Sequence, residues 1–321
     1  RTALTQEFYE KLKSTRETAL FYGLLRGLIL NNYQVESLNI QDGDISGKSV
    51  VIFSALYMDR KTQEKIARYI LQGGTAIIYP SLPLYDMNGE KCEVLKDLLK
   101  VEIKRNQDGG FAEIFDIDCI ACSSSQIYET SEDCVILGEL ESTSETVAFE
   151  KKVGKGRVVV LGINISMNFV HHISFVDKLA LYAGIKKIVQ AQELSVTVKK
   201  GNEGYIIFVN NFDEYPKPLE MLLNGKSVFE GEEAVIGARS GLILPYRLTL
   251  NRKNEIVFSS CEIEQIDGDR IKFLCRNSNE VIKLARKAEK VICAGYEVTE
   301  LKDGVVYRLK NCQGSNVEFN I

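Results

Sequence analysis

The stretch that decides the fold runs from Ser49 to Tyr79. It reads Ser-Val-Val-Ile-Phe-Ser-Ala-Leu-Tyr, then a charged segment from Asp59 to Gln72, then Gly73-Gly74 and Thr-Ala-Ile-Ile-Tyr. Both apolar runs are rich in β-branched residues and are continuous rather than alternating, which is typical of strands buried on both sheet faces. The charged segment predicts an amphipathic helix that ends at Gly73. The stretch therefore predicts a parallel strand–helix–strand unit.

Sheets of this kind bind ligands in the crevice outside the carboxyl ends of their strands. Here the second strand is followed by Pro80-Ser81-Leu82-Pro83. This segment is neither a glycine-rich phosphate loop nor a glycine-flanked nucleophile elbow. The sequence predicts a fold at this point without indicating a reaction.

Composition limits the classes of function. The chain has 321 residues, enough for two or three domains, and a net charge of −4 without a cluster of Lys and Arg, which argues against a nucleic-acid surface. No apolar run approaches the roughly 20 residues that span a bilayer, so no membrane segment is predicted. The eight cysteines are scattered among apolar residues, which predicts free, mostly buried thiols and a reducing, cytoplasmic compartment. The start has neither an initiator Met nor a signal peptide, and we expect a longer parent.

The deciding stretch lies in a predicted α/β domain over residues 1–188. Apolar spacing predicts helices over 7–31, 93–99 and 169–182, and further strands over 34–40 and 157–162. Between about 101 and 152, short apolar runs separated by Asp-Gly-Gly and Ser-rich turns predict antiparallel strands inserted in this domain.

Residues 189–321 have almost no helix signal. Four turn segments, each between two strand runs, lie at 200–204, 224–225, 267–268 and 303–304. Asn-Gly or Asp-Gly in such a position predicts a β-hairpin. The region is therefore predicted to be all-β, with one or two β-sandwich subdomains.

This order of domains, together with four segments, resembles a known family. The segments are Phe21-Tyr-Gly-Leu-Leu-Arg26, Gly47-Lys-Ser-Val-Val-Ile-Phe-Ser-Ala-Leu-Tyr57, Tyr69-Ile-Leu-Gln-Gly-Gly-Thr75 and Gly154-Lys-Gly-Arg-Val-Val-Val-Leu-Gly162. They resemble the trimerisation domain of bacterial β-galactosidases of glycoside hydrolase family 42. Segments of the all-β region resemble, more weakly, the tail of family 35 enzymes.

The resemblance implies a C-terminal accessory region with a flavodoxin-like α/β domain related to class I glutamine amidotransferases. Such a region needs no cofactor, and it assembles homo-oligomers, trimers above all, or docks on an upstream catalytic domain. The predicted function is accordingly that of a non-catalytic accessory and oligomerisation region. Two rivals remain open: a carbohydrate-binding module in the β-region, and an amidotransferase-like hydrolase.

The hydrolase rival depends on Ser81. Amidotransferases of this fold place a Cys between glycines after the strand equivalent to Thr75–Tyr79, and a His-Pro-Glu after the strand equivalent to Arg157–Leu161. This chain has Ser81 at the first place and Ile163-Asn164-Ile165 at the second. A serine without an adjacent base is a weak nucleophile, so no catalytic residue is predicted.

Two other sets of residues are candidates for a site. Cys119 and Cys122, with Cys134 and a histidine, have ligand types that bind zinc, but no second Cys-x-x-Cys completes the set, so core cysteines are favoured. Tyr57, Leu82 and Tyr85 lie in loops at the carboxyl ends of strands and are predicted to line an oligomer interface, with a sugar-facing crevice as the alternative for the two tyrosines.

A flavodoxin-like order also requires a central strand before the helix at 7–31. Residues 1–6 are too short and too polar to be that strand. We therefore expect the strand to lie upstream of Arg1, so that the strand over Val50 to Ser54 has an unfilled neighbour.

Overall fold

The computed structural model describes residues 15–40, 43–55, 57–165, 169–250 and 254–321. These residues form two compact units, of which the first combines helices and strands and the second is built from strands. Unit 1 contains the described residues up to Asn31 together with Val35–Lys186, and unit 2 contains Asn32–Gln34 together with Lys187–Ile321. Within the described ranges, no helix is long and apolar enough to span a bilayer.

The helices of unit 1 are α1 (Thr15–Leu30), α2 (Arg60–Leu71), α3 (Val94–Leu99) and α4 (Val170–Tyr182). Its strands are β1 (Val50–Ser54), β2 (Thr75–Tyr79), β3 (Glu102–Asp108), β4 (Phe111–Ile114), β5 (Ile117–Glu129), β6 (Cys134–Leu140), β7 (Thr146–Val153), β8 (Gly156–Leu161) and β9 (Ile163–Ile165).

One mixed sheet organises unit 1. Strand β2 lies between β1 and β8 and runs parallel to both, with Thr75 opposite Val50 on one side and Arg157 on the other. Beyond β8 the sheet continues antiparallel through β7, β6, β4, β5 and β3, and β9 pairs with β5. The predicted parallel unit and the predicted antiparallel insertion are both confirmed, and they form one continuous sheet.

Helix α2 begins and ends where its sequence predicts. The Asp59 carboxylate accepts hydrogen bonds from the backbone N–H of Thr62 (2.9 Å) and from its hydroxyl (2.7 Å), which satisfies a free donor of the first turn. At the other end Gly73 has a φ of 119°, which side chains disfavour. The helix buries Ile66 and Ile70 completely in the core that it shares with β2 and β8.

Strand β8 approaches this helix end closely. A Cβ atom at Gly156 would lie 2.2 Å from the carbonyl oxygen of Ile70 and 2.3 Å from that of Gly74. Only glycine therefore fits at the first position of β8. This packing explains the glycine at the start of β8.

The predicted strand over 34–40 is wrong, since these residues form no strand. Their alternating sequence lacks a partner backbone among the described residues, and a strand forms only where its N–H and C=O groups can pair. The Gln34 side chain instead accepts a hydrogen bond from the N–H of Val198 (2.7 Å). Strand β1 pairs with β2 alone within the described ranges. Residues 1–14 lie outside those ranges, so the upstream strand stays a prediction.

The strands of unit 2 are short and numerous. They are β10 (Val189–Ala191), β11 (Ser195–Lys200), β12 (Tyr205–Asn211), β13 (Lys217–Pro218), β14 (Met221–Leu223), β15 (Lys226–Ser227), β16 (Val235–Ile236), β17 (Ser240–Thr249), β18 (Glu255–Ser259), β19 (Glu262–Asp267), β20 (Arg270–Leu274), β21 (Asn279–Leu284), β22 (Lys290–Ile292), β23 (Tyr296–Leu301), β24 (Gly304–Lys310) and β25 (Asn316–Asn320).

All four predicted hairpins are confirmed, as β11–β12, β14–β15, β19–β20 and β23–β24. A seven-stranded sheet has the order β11-β12-β17-β18-β21-β24-β23, and a four-stranded sheet has the order β19-β20-β25-β22. One core contains Ile282 and Tyr307 of the larger sheet with Phe273 and Phe319 of the smaller one, all buried. This layering is compatible with the predicted β-sandwich.

Candidate functional site at the carboxyl end of the parallel strands

The first place to look for chemistry is the segment that follows β2. Tyr79 ends the strand and is fully buried, the Tyr79–Pro80 peptide bond is cis, and Ser81 is half-buried. Leu82 is 1% exposed. The chain therefore turns inward at Leu82 after β2.

The side chain of Gln126, which lies in β5, binds the backbone of this segment. Its Oε1 atom accepts hydrogen bonds from the backbone N–H of Leu82 (2.9 Å) and from the Tyr128 hydroxyl (2.7 Å). Its Nε2 atom donates to the Oδ1 atom of Asn106 (3.3 Å). The N–H that follows a nucleophile is the usual donor of an oxyanion hole. Here the corresponding N–H is already bound to the protein's own amide oxygen.

A second buried contact joins the ends of β2 and β9. The backbone N–H of Ile165 donates to the Tyr79 hydroxyl (3.0 Å), which in turn lies 3.4 Å from the Oδ1 atom of Asn164. Burial raises the pKa of Tyr79 to about 12, so the phenol stays protonated at neutral pH and can donate to Asn164. Asn164 occupies the region where an amidotransferase-like site would need its base.

Ser81 has no catalytic partner in this arrangement. None of the hydrogen bonds between described residues reaches its hydroxyl. Neither histidine is bonded to it, since the Nε2 atom of His171 contacts the carbonyl oxygen of Cys119 at 3.0 Å. The structure therefore does not assemble a serine–base pair among these residues.

His172 is the most unusual titratable group of unit 1. It is fully buried in α4, and neither ring nitrogen has a hydrogen-bond partner among the described residues. Burial, with a smaller contribution from the neighbouring His171, lowers the pKa of His172 to about 4. The ring of Phe169 packs edge-on against it, with the centroids 5.3 Å apart. His172 is thus a neutral side chain at physiological pH, buried with the rings of Phe169 and His171 packed against it.

The candidate zinc ligands are not brought together. Cys119 is exposed, Cys122 is buried with its thiol directed at the carbonyl oxygen of Gly110 (3.4 Å), and Cys134 lies 3.6 Å from the Ser131 hydroxyl. In the described part of the chain, no group of three His, Cys, Asp or Glu side chains has the geometry to hold a metal. Burial raises the pKa of Cys122, which disfavours the thiolate that a metal requires.

Of the interface candidates, Tyr57 and Tyr85 lie together. Their ring centroids are 6.5 Å apart, and the N–H of Met58 donates to the carbonyl oxygen of Tyr85 (2.9 Å). Tyr85 is 45% exposed. The expectation that Leu82 is exposed beside them is wrong, because its side chain packs in the core with Phe53 and Ile78.

The sequence did not reveal Gln126 or Asn164. Each side chain makes a hydrogen bond to a residue at least 44 positions away in the chain. No local sequence motif predicts such a contact. The available sequence signal was a polar residue, Gln126, directly before the apolar Ile127-Tyr128. Such a residue belongs to no motif and is weak evidence for a functional role.

Comparison with known proteins finds similar sequences and similar folds. Residues 3–135 match the family model described as "GLMA-like, second domain". A β-1,2-glucosyltransferase from Ignavibacterium album is 31% identical over 208 residues, which are 62% of this chain and 29% of that protein. An exo-β-D-glucosaminidase from Thermococcus kodakarensis is 24% identical over 314 residues, which are 89% of this chain and 38% of that protein.

The fold is similar to that of a catalytic mutant of a GH42 β-galactosidase from G. stearothermophilus. The TM-score is 0.58 at 15% identity, and the match covers 76% of this chain and 37% of that one. The predicted resemblance to the C-terminal accessory region of a β-galactosidase-like enzyme is confirmed. The chain spans 29% and 38% of the lengths of these two curated relatives, so it corresponds to about a third of such a protein.

The closure by Gln126 predicts a specific loss of stability. Gln126→Met keeps the side-chain volume but leaves the Leu82 N–H and the Tyr128 hydroxyl without an acceptor. We expect the free energy of unfolding to fall by about 2–3 kcal/mol in denaturant titrations, because buried donors without partners are costly. Gln107→Met is the matched control, because the Gln107 side chain accepts an exposed hydrogen bond from Arg105. This substitution should lower the free energy of unfolding by less than about 0.5 kcal/mol. If both substitutions lowered the free energy of unfolding equally, the Gln126 hydrogen bonds would not have the structural role described above.

The neutral His172 predicts a pH dependence of stability. Between about pH 6.5 and pH 4 the unfolded chain binds a proton at this side chain and the folded chain does not, so stability falls as the pH falls. The slope is on the order of 1 kcal/mol per pH unit for this one group. His172→Leu should flatten the pH profile by this amount relative to wild type when unfolding is followed across the window. Parallel profiles of the two proteins would rule the assignment out.

Proposed function

We propose that this chain is the non-catalytic accessory and oligomerisation region of a β-galactosidase-like glycoside hydrolase whose catalytic barrel lies upstream. The observation that carries this proposal is the closed carboxyl end of β2, where Gln126 binds the Leu82 N–H. In a catalytic relative of this fold, that end would have to admit a substrate. Here it is filled by the chain's own side chains.

The available chemistry supports the same conclusion. Hydrolysis through a covalent intermediate needs a nucleophile, a base and a donor for the developing oxyanion. Ser81 has no base bonded to it, and His172 has no hydrogen-bond partner at all among the described residues. A retaining glycosidase instead needs two carboxyl groups about 5 Å apart, usually on a (β/α)8 barrel, and the described strands form no such barrel.

The finer assignment of the two regions belongs to this proposal. The parallel order β1-β2-β8, with α2 after β1, supports a flavodoxin-like, amidotransferase-related trimerisation domain over residues 1–188. The two packed sheets of unit 2 support β-sandwich subdomains over 189–321. The eight free cysteines support a cytoplasmic location, where thiols remain reduced.

We assign the oligomer contact to the surface around Tyr57 and Tyr85. The exposed ring of Tyr85 beside the half-buried ring of Tyr57 provides apolar area at low entropic cost, which is typical of interface anchors. The backbone bond from Met58 to Tyr85 fixes the loop. The surface is therefore preorganised for docking on a second copy.

The assembly role predicts that Tyr85→Asp weakens self-association. The substitution places a charge where an aromatic ring would be desolvated, and we expect the dissociation constant to rise at least about tenfold in sedimentation experiments. Tyr215→Asp is the control, since Tyr215 is 54% exposed in unit 2 and belongs to no proposed contact. A wild-type chain that stays monomeric at all accessible concentrations, in a parent enzyme that is also monomeric, would overturn the assembly role.

The accessory role predicts that the purified chain does not turn over chromogenic β-galactosides, β-glucosaminides or glutamine. The reason is the missing nucleophile–base pair and the missing carboxylate pair. Turnover that disappears in Ser81→Ala would establish the hydrolase rival instead. Saturable binding of oligosaccharides to the chain, measured by calorimetry, would favour the carbohydrate-binding rival.

A further inference from the structure

Three of the eight free cysteines meet in one place in unit 2. Cys261, Cys275 and Cys312 are each fully buried in the core between the seven-stranded and four-stranded sheets. The Sγ atoms of Cys261 and Cys275 are 3.5 Å apart. The other cysteines of this unit contact backbone oxygens, as Cys293 does with its thiol directed at Gly295 (3.4 Å).

The backbone places Cys261 and Cys275 opposite each other. Cys261 directly precedes β19 and Cys275 directly follows β20, and the adjoining residues Glu262 and Leu274 are paired across the hairpin. Residues opposite each other in antiparallel strands have Cα atoms about 4.5–5.5 Å apart, which falls within the range that a disulfide bridges. A bond between these sulfurs would require only a small closure of side chains, without rearrangement of the strands.

We propose that Cys261 and Cys275 are a reversible redox site, at which a peroxide converts the two thiols into a disulfide that fastens the open end of the β19–β20 hairpin. The site lies outside unit 1 and is independent of the proposed accessory role. It gives unit 2 an oxidised and a reduced form with the same fold.

The reaction balances with one peroxide molecule. The Cys275 thiolate attacks one oxygen of hydrogen peroxide, the O–O bond breaks, and hydroxide leaves and takes a proton to become water. The Cys261 sulfur then attacks the resulting sulfenic acid, the S–O bond breaks, and a second water leaves as the S–S bond forms. Two thiols and one peroxide thus give one disulfide and two waters, with both electrons supplied by the sulfurs.

The environment distinguishes the roles of the three thiols. The Cys261 thiol donates a hydrogen bond that lowers the pKa of Cys275, so Cys275 is the thiol most readily ionised in the cluster. Burial raises the pKa of Cys312 to about 12, and its thiol donates to the carbonyl oxygens of Ser278 (3.4 Å) and Asn277 (3.5 Å). Cys312 therefore stays protonated, and its thiol also lies within hydrogen-bonding reach of Cys275.

Peptide mapping of the oxidised chain tests the proposal. The folded protein is treated with hydrogen peroxide, and the remaining thiols are then blocked with maleimide in denaturant. We expect the mass before blocking to fall by two hydrogen atoms, and the number of maleimide adducts to fall by two from the eight free thiols. The cross-linked peptide should join Cys261 to Cys275. The oxidised form should melt at a higher temperature than the reduced form, and dithiothreitol should reverse both changes.

Two variants control for the third thiol and for general oxidation. Cys312→Ala should still form the disulfide, whereas Cys261→Ala should leave Cys275 as a sulfenic acid that dimedone labels. Cys122→Ala removes a buried thiol of unit 1 that has only carbonyl partners and should not change the cross-link. If Cys261→Ala does not fold, the wild-type map alone decides the matter. A cross-link through Cys312 or Cys293, or eight thiols retained in excess peroxide, would overturn the proposal.

Discussion

The pairing of β2 between two parallel neighbours is the constraint on which unit 1 depends. A strand in this position must bury both faces, and β2 does so, with Ile77 and Ile78 both at most 1% exposed. The helix α2 covers one face, and its end must come so close to β8 that only glycine is accommodated at position 156. The Asp59 cap, the Gly73 turn and the Gly154-Lys-Gly156 segment are all consequences of fitting one helix over this sheet.

The same burial determines what the end of β2 can do. A chain that turns inward after a buried strand carries its N–H groups into a low-dielectric region, where each needs a partner. Gln126 supplies that partner for Leu82, and the Tyr79 hydroxyl supplies it for Ile165. These hydrogen bonds satisfy buried donors and stabilise the fold.

Unit 2 shows the other common way to fold a polar chain, by pairing local hairpins and stacking two sheets. Its buried polar groups are also satisfied: the Glu280 carboxylate accepts hydrogen bonds from the Ser260 hydroxyl (2.5 Å) and from the N–H of Asn277 (2.8 Å). Burial nevertheless raises the pKa of Glu280. The buried thiols of Cys261 and Cys275 lie close to this carboxylate.

The sequence by itself determined the elements whose signals are local. The continuous apolar runs of β1 and β2, the capped helix α2 and the four hairpin turns were all predicted, because each depends on residues within about fifteen positions of one another. The predicted strand at 34–40 failed because strand formation depends on a partner backbone, which a segment does not encode. Leu82 was misplaced for a related reason, since its burial depends on packing with Phe53 and Ile78 of the sheet and not on its own proline-rich surroundings.

Only the tertiary structure decided the state of the candidate site. Gln126 and Leu82, or Tyr79 and Ile165, are far apart in the chain and adjacent in space, so their contacts arise from the order of strands in the sheet. Cys261 and Cys275 differ from these pairs, since they are 14 positions apart and become neighbours through the register of one local hairpin. The sequence alone excluded a nucleophile elbow, because the glycines that flank such a nucleophile are missing. The hydrogen bonds at the end of β2 could be seen only in the folded structure, because they join residues that are distant in the chain.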